Sequence, residues 1–136
     1  MRRRSLRARV EARAEGRCEY CQAPQIACGY RFHLDHIVPV VAGGSDEEAN
    51  LALACASCNL AKSNRVLARD PVSEEETLFF HPRHQLWNDH FRWEEDRRTL
   101  IGLTETGRAT LLGLDMNSEL RQKAREFWFE AGLLPQ

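Results

Sequence analysis

The sequence predicts an α+β fold: a small two-strand, one-helix core clamped by a four-cysteine metal site, with a helix before it and a β-hairpin plus helices after it. Three observations predict this. Two Cys-x-x-Cys pairs, Cys18/Cys21 and Cys55/Cys58, bracket 33 residues. Inside the bracket, two β-favouring runs lie on either side of Gly43-Gly44, and helix formers come after the second pair. From Phe79 onward an aromatic-rich stretch reads as a hairpin and gives way to helical segments.

Each element has its own local signal. Residues 3–15 are good helix formers with Leu6, Val10 and Ala14 on one face, and Gly16 is a suitable stop. Residues 22–31, with Pro24 and Gly29, are irregular. Phe32 to Val38 alternates as a strand does and ends at Pro39. Gly43-Gly44-Ser45-Asp46 is a loop, and residues 50–54 are the returning strand. A helix is expected from Ser57 to about Leu67, carrying Lys62 and Arg65. After Asp70-Pro71 the chain reads as an acidic linker, then as a hairpin turning near Asp96. A short helix is expected from Thr104 to Leu112. Asn117 or Ser118 caps a last helix through Ala131, whose buried stripe is expected to be Leu120, Ala124, Phe127 and Trp128. This organisation divides the chain into a core over residues 1–70 and an extension over 71–136 packed on it.

Composition excludes some classes and leaves others open. The net charge of −1 is uninformative, but residues 1–17 hold seven arginines against two glutamates. No stretch approaches the roughly 18 apolar residues of a membrane span, and no apolar run succeeds the basic start as in a secretory signal. Five cysteines, four of them in tight pairs, fit metal ligation in a reducing compartment better than disulfides, so we expect a cytoplasmic protein. A Cys-x-x-Cys turn sets two thiolates to share one tetrahedral ion, and two such turns leave no open position. Cys18, Cys21, Cys55 and Cys58 are therefore read as a structural Zn²⁺ site; four buried apolar thiols or a redox pair are the competing readings.

The string between the pairs carries chemistry. Asp35 and Asn59 offer hard oxygen ligands suited to Mg²⁺ or Mn²⁺, and a neutral His36 can take a proton from water. Such an ion stabilises charge on a phosphodiester as it is cleaved. His36, Asn50 and Asn59, in DHIVP, ANL and CNLAK, resemble the HNH endonuclease or ββα-metal motif. The Gly-Gly turn and the flanking cysteine pairs resemble the zinc-stapled branch of that family, found in small stand-alone HNH proteins. The resemblance covers about residues 14–66. It implies that Asp35 is the first metal ligand and His36 the general base, that Asn50 holds the loop orienting the histidine, and that Asn59 is the second metal ligand. An asparagine in that last position, where the motif's name has histidine, favours a Mg²⁺-like ion.

His33 shares a strand face with Asp35 and is a candidate for a further ligand, a phosphate contact or a structural histidine. Lys62 and Arg65 are candidate phosphate contacts, extended by Arg2, Arg3 and Arg4; a solvated helix face is the alternative. His81, His84 and His90 lack a fourth partner and are read as turn residues, and Trp87, Phe91 and Trp93 as core. The expectation is a metal-dependent HNH endonuclease acting on DNA, against the alternative of a non-catalytic, zinc-stabilised nucleic-acid-binding or interaction module.

Overall fold

The computed structural model describes residues 5–134. Ser5 caps the first helix, α1 (Leu6–Arg13), its Oγ accepting from the Ala8 amide. Val10 on the inner face is fully buried, with Leu6 and Ala14 packed beside it. The helix ends where Glu15 and Gly16 take positive φ and turn the chain into the first cysteine pair. The arginines of α1 latch onto later segments of the core. Arg7 donates to the Phe32 carbonyl at 2.8 Å, Arg9 pairs with Glu48 at 3.2 Å, and Arg13 donates to the Glu48 and Leu51 carbonyls.

A single-turn helix, α2 (Gln25–Cys28), leads into β1 (His33–His36), which pairs antiparallel with β2 (Leu51–Ala54). Asp35 lies opposite Ala52 and His36 opposite Leu51, and every residue of β2 is buried. Two 3-10 turns, Val40–Ala42 and Glu48–Asn50, shape the connection. Gly44 is required there, because a Cβ would overlap the Val38 carbonyl oxygen and meet Asn50 Nδ2 at 2.8 Å.

The third helix, α3 (Ala56–Lys62), is shorter than the sequence predicts. Ser63 adopts φ 50° and ψ −129°, a backbone that side-chain-bearing residues disfavour, and it turns the chain sharply out of the helix. Leu67 is therefore in a strand. β3 (Leu67–Arg69) pairs with β4 (Glu76–Leu78), so the stretch read as an acidic linker is a hairpin. Its acidic side chains report exposure, not the absence of a backbone ladder. Asp70 organises the turn: its carboxylate accepts from the Val72 and Ser73 amides and, at 2.8 Å to each oxygen, from Arg108.

A further turn of helix, α4 (Trp87–His90), runs into β5 (Phe91–Trp93), which pairs with β6 (Leu100–Gly102) around a turn held by Asp96. Thr104 caps α5 (Glu105–Gly113) and Ser118 caps α6 (Glu119–Glu130), as the sequence predicts for the last helix. The buried face of α6 differs from expectation. Leu120 and Phe127 are 78% and 71% exposed, whereas Arg125 is buried. Arg125 donates to the Arg98 and Met116 carbonyls and to Asn117 Oδ1, and its guanidinium lies over Trp93. Apolar periodicity misidentifies the face because an arginine stem can pack as a hydrophobe while its head satisfies loop carbonyls.

One hydrophobic cluster joins Val10, Phe32 and Leu53 to Phe80, Phe91, Leu100 and Met116, so residues on both sides of position 70 share a core. Trp87 adds a tie, its Nε1 donating to the Tyr20 carbonyl at 2.8 Å. Among the described residues, no helix is long and apolar enough to cross a membrane.

Arg108, with the amides of the turn, holds the Asp70 carboxyl well below the usual carboxylate range. The unfolded chain binds that proton more readily than the folded one. The stability Asp70 contributes is thus complete above its unfolded value near pH ~4 and is lost as pH falls through the lower folded value. Urea melts across that range should show Asp70→Asn less stable at neutral pH and less acid-sensitive than the parent. Equal acid sensitivity in the two would remove Asp70 from the acid response.

Candidate active site and structural metal centre

The sulfurs of Cys18, Cys21, Cys55 and Cys58 lie within 4.8 Å of one another, and all four residues are buried. Cys21 and Cys55 Sγ are 3.7 Å apart. That matches the edge of about 3.8 Å in a tetrahedron built on Zn–S bonds of roughly 2.3 Å. The first pair is shaped by Cys18 N donating to the Ala23 carbonyl and Gln22 N to the Cys18 carbonyl, both at 2.9 Å. The second pair opens α3, where Cys55 is the N-cap and its sulfur accepts from the Cys58 amide.

Burial pushes the Cys18 and Cys58 thiols well up, whereas hydrogen bonds from neighbouring thiols draw Cys21 and Cys55 down. Four adjacent thiolates need a cation, and this closed sulfur shell fits Zn²⁺ in a structural role. Arg121 of α6 supplies an outer charge: its Nη2 is 3.0 Å from Cys58 Sγ, while Nη1 donates to the Leu114 carbonyl at 2.8 Å. Burial opposes the guanidinium's charge, but the thiolates of Cys58 and Cys21 outweigh it and hold the group above its ordinary value. Cys28 lies outside the cluster.

Beside this centre a cleft of about 280 Å³ is lined by Leu34, Asp35, His36, Pro39, Asn59 and Ser63, among others. Asp35 and His36 are neighbours, and on a strand their side chains diverge. Both reach the cleft because β1 ends at His36. Asp35, 4% exposed, turns inward. Its Oδ2 accepts from the Tyr20 hydroxyl at 2.8 Å and lies 3.2 Å from Lys62 Nζ; its Oδ1 accepts from Asn59 Nδ2 at 3.4 Å. Burial first, and then the Asp35 charge, push the Tyr20 phenol well above its ordinary value, so it remains a donor.

His36 faces the connecting loop, with Nε2 2.7 Å from Asp46 Oδ1. A carboxylate only accepts, so Nε2 carries a hydrogen, and in the neutral ring the lone pair is then on Nδ1. Asn50 ties this loop to the end of β1: its Oδ1 accepts from the Val38 amide at 2.9 Å, and its Nδ2 donates to the Val38 and Ser45 carbonyls at 3.0 and 2.8 Å.

The structure thus brings Asp35, His36 and Asn59 to one cleft, with Asn50 behind them. His33 is exposed at the start of β1 and does not line the cleft. Lys62, expected on the surface as a phosphate contact, is 1% exposed and turned onto Asp35, because a cation at that helix position can neutralise the buried carboxylate. Arg65 is exposed, donating to the Ala61 and Gly113 carbonyls at 2.7 Å. Arg2, Arg3 and Arg4 lie outside the described residues. His81 and His84 stack at 3.9 Å, while His90 bonds Thr104 at 2.6 Å; among the described residues only the cysteines form a metal-sized cluster. Sequence reasoning missed Tyr20 and Asp46. Tyr20 sits inside the first cysteine pair, and Asp46 is one of three consecutive acids that spacing alone does not distinguish.

Residues 18–65, which contain the four-cysteine cluster and the cleft residues Asp35, His36 and Asn59, match the family model described as HNH endonuclease. No curated protein and no solved structure matches the chain.

Cys55→Ser should lose zinc and fold stability together, read by metal analysis and thermal melting; a stable, zinc-free variant would show that the clamp does not hold the fold. Arg121→Gln should retain zinc but release it about tenfold faster to a chelator, as loss of an outer-shell partner does. An unchanged release rate would make Arg121 a bystander.

Proposed function

We propose that this chain is a metal-dependent endonuclease that hydrolyses DNA phosphodiester bonds with a water activated by His36. One observation carries the reading: Asp35, His36 and Asn59 line a single cleft, in the segment that matches the HNH endonuclease model. The Asp35 carboxylate and the Asn59 amide oxygen would hold one divalent ion. Two hard donors in an open cleft suit Mg²⁺ or Mn²⁺, which retain waters and take phosphate oxygens as further ligands. When bound, that ion supplies positive charge to the scissile phosphate and the departing 3′ oxygen.

His36 takes the water's proton at Nδ1, while Nε2–H donates to Asp46 and the carboxylate stabilises the imidazolium that forms. Asn50 keeps Asp46 and His36 in register through its three backbone bonds. Tyr20 orients Asp35 from the zinc knuckle. His33, at the rim of this arrangement, is assigned no step. Arg65 and the arginines at 2, 3 and 4 would contact phosphates flanking the scissile bond, giving salt-sensitive and largely sequence-independent binding. A cytoplasmic setting suits the thiolate clamp. The alternative, a non-catalytic zinc-stabilised interaction module, is favoured by the exposed Leu120 and Phe127 of α6.

Nicking of plasmid DNA decides between them. Cleavage is expected with Mg²⁺ or Mn²⁺ and not when both are withheld. His36→Ala should cost at least about 100-fold in rate with zinc content unchanged, the scale of a lost general base. Asp46→Asn should cost about tenfold, less because Asp46 acts through His36. Full cleavage by His36→Ala would discard that residue as the base. DNA binding without nicking across these metals would support the module.

A further inference from the structure

Lys62 has no part in the chemistry above, yet it is the most buried charged group at the cleft. Its Nζ lies 3.2 Å from Asp35 Oδ2 and 3.4 Å from Oδ1, and donates to the His36 carbonyl at 2.9 Å. Its side chain is 1% exposed and that of Asp35 5%. A buried ammonium is tolerated only when a counter-charge meets it, and among the described residues Asp35 alone does. Tyr20 and Asn59, the other groups on the carboxylate, are neutral donors. Asp35 is also the only carboxylate among the described residues lining the cleft.

This arrangement has an electrostatic consequence. A divalent ion approaching Asp35 meets a carboxylate already neutralised and an ammonium within a few ångströms. Like charges repel strongly in a partly dry site. A DNA phosphate entering the cleft adds the missing negative charge and relieves that repulsion.

We propose that Lys62 is a resident counter-cation that makes metal loading depend on nucleic acid: the free protein holds Mg²⁺ or Mn²⁺ weakly, and the ion and the DNA phosphate bind with positive coupling. By linkage each tightens the other equally. This role of Lys62 rests on the assignment of the metal to Asp35 and Asn59. Lys62 is a positioning and charge-compensating residue, since it touches Asp35 and the His36 backbone, not the reacting atoms.

The test is a Mn²⁺ titration monitored by electron paramagnetic resonance, on the zinc-loaded full chain carrying His36→Ala to prevent cleavage, with and without a short DNA duplex. In this parent, DNA should tighten Mn²⁺ at least about tenfold, within the usual range of coupling between sites. Without DNA, Lys62→Met should bind Mn²⁺ about tenfold tighter than the parent, and the gain from DNA should shrink correspondingly. Lys62→Arg, which keeps the charge, should behave as the parent. Lys62→Gln, neutral but able to bond the His36 carbonyl, replaces Lys62→Met if that variant loses zinc or fold. Unchanged or weaker Mn²⁺ affinity in the neutral variant, or no effect of DNA on the parent, overturns the proposal. Asp35→Asn separates the two levels. If it binds Mn²⁺ as the parent does under both conditions, the metal assignment itself has failed, not only the role of Lys62.

Discussion

The cluster of four thiolates is the constraint on which the rest of this molecule depends. It joins residue 18 to residue 58 and so fixes how the first turn, β2 and α3 meet. Its influence continues outward through specific bonds. Tyr20, held inside the first pair, donates to Asp35 at 2.8 Å, and its carbonyl accepts from Trp87 of the extension. Arg121 brings α6 against the Cys58 sulfur. The cluster therefore sets the position of the cleft's carboxylate on one side and docks the C-terminal helix on the other. In a chain of 136 residues a metal-coordinating centre supplies rigidity that a core of this size provides only in part.

Around that centre, buried charge is handled by pairing. Asp35 has Lys62, Asp70 has Arg108, and Glu19 meets both Arg13 and Arg83. Arg125 has no carboxylate partner among the described residues but satisfies three acceptors from loops beside α6. These contacts stitch the extension to the core in directions that apolar packing leaves open, since a guanidinium fork accepts only one approach. They also explain why so many arginines of this chain are unavailable to a nucleic acid. The basic α1, which by composition looks like a binding arm, spends Arg7 and Arg13 on backbone carbonyls of the neighbouring hairpin.

The cleft is built by adding reach to a short strand. Asp35 and His36 diverge, one to a buried polar cluster and the other to the Asp46 loop, and Asn50 holds loop and strand end together. Gly44 allows the loop to come this close. The result is a carboxylate paired with a buried ammonium beside a histidine whose Nε2 is held by Asp46, the two features on which the proposed hydrolysis turns.

Much of this was legible in the amino-acid order. The cysteine pairs, the two strands between them, the cap at Ser118 and the turn at Asp96 depend on local spacing, a property of the chain itself. Asp35, His36, Asn50 and Asn59 were singled out by their resemblance to the HNH motif. The β3–β4 hairpin was not legible, because exposed glutamates mask a ladder made by backbone groups. Nor was the end of α3, set by an unfavourable backbone at Ser63, nor the packed face of α6, where an arginine displaced two large hydrophobes. Tyr20 and Asp46 had no local signature, and Lys62, singled out as a phosphate contact, gave no sign of its pairing with Asp35. Each takes its meaning from a partner 10 to 27 residues away. The sequence by itself determined which side chains are candidates for chemistry and which sulfurs can hold a metal. Only the tertiary structure decided how their charges are paired, because burial and distance exist only once the chain has closed on itself.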